Sequence, residues 1–484
     1  MLIRHTILYL PAQLIGPLFQ FIAAVAWTHW LAPDAYGILA FVLATQDLAY
    51  LVGLSWWSQF TLRYLGTFKG SESRAVYQRS ENCIILLSSL LQAAMAVGAL
   101  VVLKTPLTPT LVGASILYIV TRSITAHLGE RARTRGEIVA YTVAQLFGPV
   151  VGFLIALGAL SHIAATPEWA LAGFAVAQFV GLVWLWSRLG LGFSIAWPDR
   201  AIFRKACSFG MPLVFSGAIA WFSINGIRVI VEHMQGIEAV GLISVGWGLG
   251  QRLASVAAML VTAAAFPLAV KHLQAGARDA ALTQLSQSGA ILFGLLAPSA
   301  IGIILLTNQA TNLLIAEPFR PVTLTVLPIA AIAGLVRNIR VHFADQSFLL
   351  FERPKLTLVI NAVEAIGTLA GCWVGIEVGG LTGAAAGALA GALAGAVTGF
   401  AMSIAFFGLP IPVTHVTRIL AATAAMAIVL RIAIWADQSA DLALAVAGEI
   451  IVGGFVYVGV LAILYAGALR DLLARRRPPH SAAV

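Results

Sequence analysis

The sequence predicts an all-α polytopic membrane protein: about fourteen transmembrane helices, forming two parallel-repeat six-helix bundles around a central cavity, plus two C-terminal helices. Three observations carry this. The 484 residues are 60% hydrophobic and only 10% charged. Lysine and arginine fall into every second connector. A segment near residue 35 returns near residue 239.

Composition comes first. Mean hydropathy is +0.93, whereas soluble domains carry roughly 25% charged residues. Lipid is therefore the main solvent. A transmembrane helix needs about 20 apolar residues, so fourteen helices with short connectors use nearly the whole length and leave no room for an extramembrane domain. The apolar stretches place helices 1 to 14 near 6–31, 36–62, 82–103, 107–127, 138–160, 168–187, 206–231, 239–265, 286–307, 322–343, 356–378, 382–408, 417–436 and 443–468. The corresponding domains are an N-terminal six-helix lobe at 1–190, a C-terminal six-helix lobe at 206–408, two additional helices at 417–468 and a basic cytoplasmic tail at 469–484. The chain opens Met-Leu-Ile-Arg4 and runs apolar to Trp30, longer than a signal-peptide core and without a small-residue cleavage site, so it reads as an uncleaved first helix. Cys83, Cys207 and Cys372 lie in or beside apolar stretches without CxxC spacing, as small packing residues do.

The second observation orients the chain. Of 29 Lys and Arg residues, 21 lie in connectors on one side and only Lys104 and Arg320 on the other. The positive-inside rule then puts both termini in the cytoplasm and requires an even number of spans. The net charge of +9 is a topology signal, and no nucleic-acid partner is expected.

The third observation is the repeat. WLAPDAYGILA at 30–40 matches MQGIEAVGLIS at 234–244, with Tyr36-Gly37 over Val240-Gly241 and an acid two positions before each, at an offset of 204 residues. Similar basic loops follow, from Arg63 and from Lys271. Six helices separate the copies, so both halves share one orientation, an architecture that puts a substrate path between the halves. Gly383, Gly387, Gly391, Gly395 and Gly399 recur every fourth residue on helix 12 and read as a close-packing ridge.

No GxSxG, HExxH or P-loop is present, and no metal or cofactor is expected. Charges within the spans are the informative residues, because an ionisable group in hydrocarbon is costly. Arg122 is placed about one turn from the basic end of helix 4, within snorkelling reach. Arg337 and Glu364 share a depth on helices 10 and 11 and read as an ion pair. Asp47 and Arg252 sit near the middle of helices 2 and 8, and the repeat aligns Asp47 with Gln251. They face each other across the cleft, either as a salt bridge or as working groups. Gln13, Gln20, Gln46, Asn225 and Arg228 lie nearby. The substrate-binding candidates are thus Arg228, Arg252, Asn225, Gln20 and Gln46, with Asp47 as the ion-coupling candidate.

At these residues the chain resembles a known family. WLAPDAYGILAFVLATQDL after the first helix, GIEAVGLISVGWGLGQRLASVAAMLVTAAAFPLAVKH at 236–272 and FERPKLTLVINAVEAIG at 351–367 resemble the Wzx-type O-antigen and exopolysaccharide flippases of the multidrug/oligosaccharidyl-lipid/polysaccharide exporter superfamily, over most of residues 1–408. The resemblance implies a MATE-like fold, alternating access, and movement of an undecaprenyl-pyrophosphate-linked oligosaccharide to the periplasmic leaflet of the bacterial inner membrane. It also implies the lipid-linked oligosaccharide and membrane lipids as partners, with a polysaccharide polymerase and glycosyltransferases alongside, and a transporter, not an enzyme. Arginine suits the pyrophosphate because its planar fork donates paired hydrogen bonds. The first half carries no arginine near the cleft, only Asp47, whereas flippases of peptidoglycan precursor have several cavity arginines in their first helices, so that substrate is disfavoured. Two other readings stay open: a cation-coupled small-molecule exporter of MATE type, and a membrane-embedded glycosyltransferase or ligase, which the short far-side connector at 308–321 argues against.

Overall fold

A computed structural model describes residues 2–436 and 441–467. The tail at 469–484 and the side chains of Arg4 and Gln13 lie outside the described residues. The described chain is all-helical. Among the described residues, twelve continuous helices are long and apolar enough to cross a membrane. One of these, Lys355–Phe407, is really helices 11 and 12, and Leu2–Trp30 precedes them all, so the spans reach the fourteen expected.

Local chemistry explains where the helices start. Helix 2 opens on Pro33 with Asp34 in its first turn, where a fixed φ and a negative charge both suit a helix N-terminus. Helix 4, Pro109–Thr134, is capped by Thr108, whose hydroxyl accepts from Leu111 N at 3.2 Å. Helix 7, Arg200–Gln235, is capped by Asp199, which accepts from Ala201 N and Ile202 N at 3.0 Å. Helices 11 and 12 part at Gly379–Gly380, where Gly380 takes φ +58° and ψ −139°, a backbone open essentially to glycine alone. The hairpin then closes backbone to backbone: a Cβ at Gly383 would overlap Gly375 O, and one at Gly387 would overlap Gly371 O. Gly395 and Gly399 instead leave room for the side chains of Glu364 and Arg340. The glycine ridge of helix 12 is a packing surface along its whole length.

Several helices run further than apolar composition suggests. Helix 3 spans Ser71–Val102, helix 7 starts at Arg200, helix 8 spans Ile237–Gln274 and helix 9 spans Arg278–Leu305. The added turns carry polar residues and lie at the basic end, some of them buried, as Tyr77, Ser80 and Glu81 are. The connector at 308–321 contains a short helix, Thr307–Leu314. Helices 2, 5 and 10 are each interrupted by a π turn, at Leu51–Ser55, Phe147–Gly152 and Arg340–Ala344. Such bulges locally unwind the ladder and are frequent at functional sites.

Two buried ionic networks brace the bundle. Glu364 accepts from Arg337 Nε at 2.7 Å and pairs with Arg340 Nη1 at 2.8 Å, and Arg340 also meets Asp345 at 3.4 Å. Arg337 and Glu364 therefore form the ion pair that their depths predict. The other network was not foreseen. Glu81 on helix 3 pairs with Arg131 and with His127 Nε2 at 3.0 Å, both on helix 4, and His127 Nδ1 lies 2.9 Å from Ser58 Oγ on helix 2.

Candidate functional site

A cavity of about 200 Å³ lies between helices 1, 2, 4, 5 and 6 on one side and helices 7 and 8 on the other. Every candidate taken from the sequence lines it: Gln20, Gln46, Asp47, Asn225, Arg228 and Arg252. Helical spacing accounts for this. Asn225 and Arg228 are three apart on helix 7, and Ser244, Gly248 and Arg252 follow every four residues on helix 8, so each set shares one face.

The polar groups differ in how far they are engaged. Arg228 donates from Nε to Ser244 Oγ at 3.1 Å and from Nη1 to Asn225 Oδ1 at 2.6 Å, which fixes the guanidinium plane and leaves Nη2 without an acceptor among the described residues. Arg252 reaches across the seam and donates from Nη1 to Gln20 O at 2.8 Å. Asp47 makes no ion pair or hydrogen bond among the described residues, although it shares the cavity with Arg252. The two charges face one cavity without forming a salt bridge.

Arg122 needs correction. It lines the cavity at mid-span, because helix 4 continues to Thr134 instead of ending near 127. The first half thus contributes an arginine to the site, and its supposed absence no longer argues against any substrate. A signal was present: no proline occurs after Pro109 until Pro149, and the helix ends just before Gly136, which takes φ +72°. Tyr36, Tyr118, Gln178 and Ser244 were also missed. Uncharged polar residues are common in helix interfaces and do not stand out in sequence. Thr121 donates to Gln178 Oε1 at 3.0 Å, holding helices 4 and 6 together beside the cavity.

The cavity is sealed at the end where helices 2 and 8 begin. A Cβ on Gly37 would overlap Ile237 O, and one on Gly241 would overlap Pro33 O. The two glycines are the repeat-related pair, so the contact is made by equivalent backbones from the two halves. Trp221 Nε1 on helix 7 donates to Ala44 O on helix 2 at 3.0 Å and closes one flank. Behind the site, Arg337 donates to Gln251 Oε1 and to Ser223 O, both at 2.8 Å, so one guanidinium sets the positions of helices 7 and 8 where they present Asn225 and Arg252.

The sequence profile of a family described as polysaccharide biosynthesis protein matches residues 2–272. The chain belongs to that family. No curated protein matches it in sequence. Among solved structures it is similar to the lipid II flippase MurJ in an inward closed conformation, at 12% identity and a TM-score of 0.76, over 97% of this chain and 100% of that one. It is also similar to an inward-facing multidrug resistance MATE family transporter of the MOP superfamily, at 13% identity and a TM-score of 0.57, over 83% of this chain and 98% of that one. A MOP superfamily transporter from Pyrococcus furiosus aligns at 14% identity and a TM-score of 0.53, over 84% and 95%. At these identities the likeness shows a common MurJ/MATE fold. Family and fold together describe a multi-span membrane protein of polysaccharide biosynthesis with the architecture of transporters.

Proposed function

We propose that this protein is a flippase that moves undecaprenyl-pyrophosphate-linked oligosaccharide units across the bacterial inner membrane for O-antigen or exopolysaccharide synthesis. The observation that carries this reading is a cavity between the two repeats, lined by three arginines, Arg122, Arg228 and Arg252, with guanidinium nitrogens still free to donate. Forked, permanently charged donors suit a pyrophosphate. Membership of a polysaccharide biosynthesis family supports a glycan cargo.

In this reading helices 1–6 and 7–12 act as two lobes that rock about the cavity, helices 13 and 14 stand outside that movement, and both termini lie in the cytoplasm. A volume of about 200 Å³ is below the ~300–1,000 Å³ of ordinary ligand sites. Substrate therefore enters a wider state, and the Gly37–Gly241 contact opens to release it on the periplasmic side. Asp47, which has no protein partner among the described residues, takes the coupling proton or cation. The glycosyltransferases that build the unit and the polymerase that consumes it are the expected partners.

Deletion in the native host tests the proposal. The expected result is lipid-linked glycan accumulating in the cytoplasmic leaflet, surface polysaccharide lost, and assembly of the unit on its lipid intact. Failure to make the unit at all would point to a membrane-embedded transferase. Wild-type glycan export from Arg228→Ala and Arg252→Ala proteins at normal expression would favour a MATE-type small-molecule exporter, a reading that the unpartnered Asp47 would also suit.

A further inference from the structure

The connector between the two halves, residues 189–199, is an extended strap fixed along helix 3. Asn82 Nδ2 donates to Gly192 O and Ser194 O at 2.8 Å, Asp199 N donates to Ser80 Oγ at 3.0 Å, and Arg135 Nη1 donates to Leu189 O at 2.8 Å. Held this way, the strap leaves residues 192–197 exposed, among them Phe193 at 81%, Ile195 at 56% and Trp197 at 83%, with the Phe193 ring stacked on Trp186 at 5.4 Å. Where the strap ends, helix 7 begins with Arg200, Arg204 and Lys205 around an open pocket completed by Ser208, Phe209 and Tyr64 of helix 2. Lys205 Nζ lies 4.1 Å from the Tyr64 ring centroid, and Arg63 of helix 2 lies 5.1 Å from that of Phe209. None of these four cations forms an ion pair among the described residues. Asp199, the adjacent acid, is turned back to cap helix 7.

We propose that this pocket binds the phosphate headgroup of an anionic phospholipid of the surrounding bilayer, with Phe193, Ile195 and Trp197 inserted beside it at the membrane interface. Four uncompensated cations call for an anion. The exposed aromatic strap next to them identifies it as membrane-borne, because a soluble phosphate would leave Trp197 and Phe193 in water, whereas tryptophan belongs at the headgroup level. Arg63 sits on helix 2 and the other three cations on helix 7, so a single headgroup bridges the two halves where Gly210 packs on Trp56. The site is separate from the central cavity, and the inference holds whatever the transported substrate.

The test uses delipidated full-length protein in detergent, titrated with short-chain phosphatidylglycerol, short-chain phosphatidylcholine or inorganic phosphate. Phosphatidylglycerol should bind saturably and phosphatidylcholine should not. Inorganic phosphate should bind at least tenfold more weakly. Each cation near an anionic bilayer is worth about 1 kcal/mol, so Arg204→Ala with Lys205→Ala should weaken phosphatidylglycerol about 30-fold. Trp197→Ser should weaken it severalfold without affecting phosphate, and Lys104→Ala at the opposite end should change nothing. If the double alanine variant misfolds, Arg204→Lys with Lys205→Arg must retain binding, and rising salt must weaken wild-type binding. Equal affinity for phosphatidylcholine, or phosphate binding as tightly as phosphatidylglycerol, would overturn the proposal; so would a double variant that binds like wild type.

Discussion

Helices 2 and 8 start with one shared contact, Gly37 against Gly241, and then diverge. Ten residues further along each, at positions the repeat makes equivalent, stand Asp47 and Gln251. Gln251 is held on both ends of its amide, accepting from Arg337 at 2.8 Å and donating to Ala330 O at 3.2 Å. Asp47 faces the cavity with no ion pair or hydrogen bond among the described residues. The symmetric part of the repeat is a closure between backbones, and the asymmetric part is where chemistry resides. In the second half Glu364 and Asp345 neutralise Arg337 and Arg340 and brace helices 7, 8, 10 and 11, while Arg228 and Arg252 face the cavity without an acidic partner among the described residues. In the first half a carboxylate is left available. Four predictions follow the size of the effect expected from disturbing one side or the other.

The largest effect belongs to the buried ionic networks, one in each half. Glu364 is 1% exposed and balances two buried guanidiniums. Removing one partner of a buried ion pair costs about 3–5 kcal/mol because the survivors lose their counter-charge. Glu364→Leu should lower the thermal midpoint of purified protein sharply or prevent its accumulation. Glu81→Leu should do the same through Arg131. If Glu364→Leu protein were as stable as wild type, the network would not be the brace described here.

The shared closure ranks next. Overpacking costs about 1–3 kcal/mol, enough to shift a closed–open equilibrium roughly 5- to 150-fold at 1.4 kcal/mol per tenfold. Gly241→Val drives a side chain into Pro33 O and should hold that end apart. A cysteine at Ser244 should then react faster with a reagent supplied from the far side, and transport should fall. Unchanged labelling would mean that the glycine contact does not gate the cavity.

Asp47 comes third, with an effect on function rather than stability. Asp47→Asn breaks no hydrogen bond and should move the thermal midpoint little, yet abolish the response of transport in proteoliposomes to a proton or sodium gradient. The swap Asp47→Arg with Arg252→Asp should not restore activity, because no salt bridge joins the two. A swap that rescued transport would make them a structural pair after all.

The contrast between the two halves also explains how much could be read from the sequence. The fourteen spans were legible because lipid imposes length and hydrophobicity on each of them. The Arg337–Glu364 pair was legible because opposite charges at equal depth on adjacent helices have few alternatives. The Glu81–His127–Arg131 network was not, since Glu81 and Arg131 lie just beyond the apolar bounds of helices 3 and 4 and His127 at the last residue of its span; only the extra turns of the two helices bring the partners together. The same shortening of helix 4 concealed Arg122. The π turns left no trace in the apolar pattern of the spans. Of the site, the charged members and their meeting at one cavity were accessible through the repeat, whereas Tyr36, Tyr118 and Gln178 needed coordinates.

The smallest effect separates charge from shape at Arg228. Its Nε and Nη1 are committed to Ser244 and Asn225, and that fork orients the remaining nitrogen toward the cavity. Lysine preserves the charge but offers a single ammonium that cannot hold both acceptors and still face a substrate. The loss of about one net hydrogen bond, ~1 kcal/mol, corresponds to a decrease of roughly fivefold. Arg228→Lys should therefore transport at a reduced rate, while Arg228→Ala, which removes the charge as well, should fall much further. Asn225→Ala distinguishes orientation from charge: it leaves the guanidinium in place but frees its plane, so it should resemble Arg228→Lys rather than Arg228→Ala. If Asn225→Ala and Arg228→Lys both transported at the wild-type rate while Arg228→Ala failed, only the positive charge would matter at this position, and the forked recognition of a pyrophosphate by Arg228 would have to be abandoned.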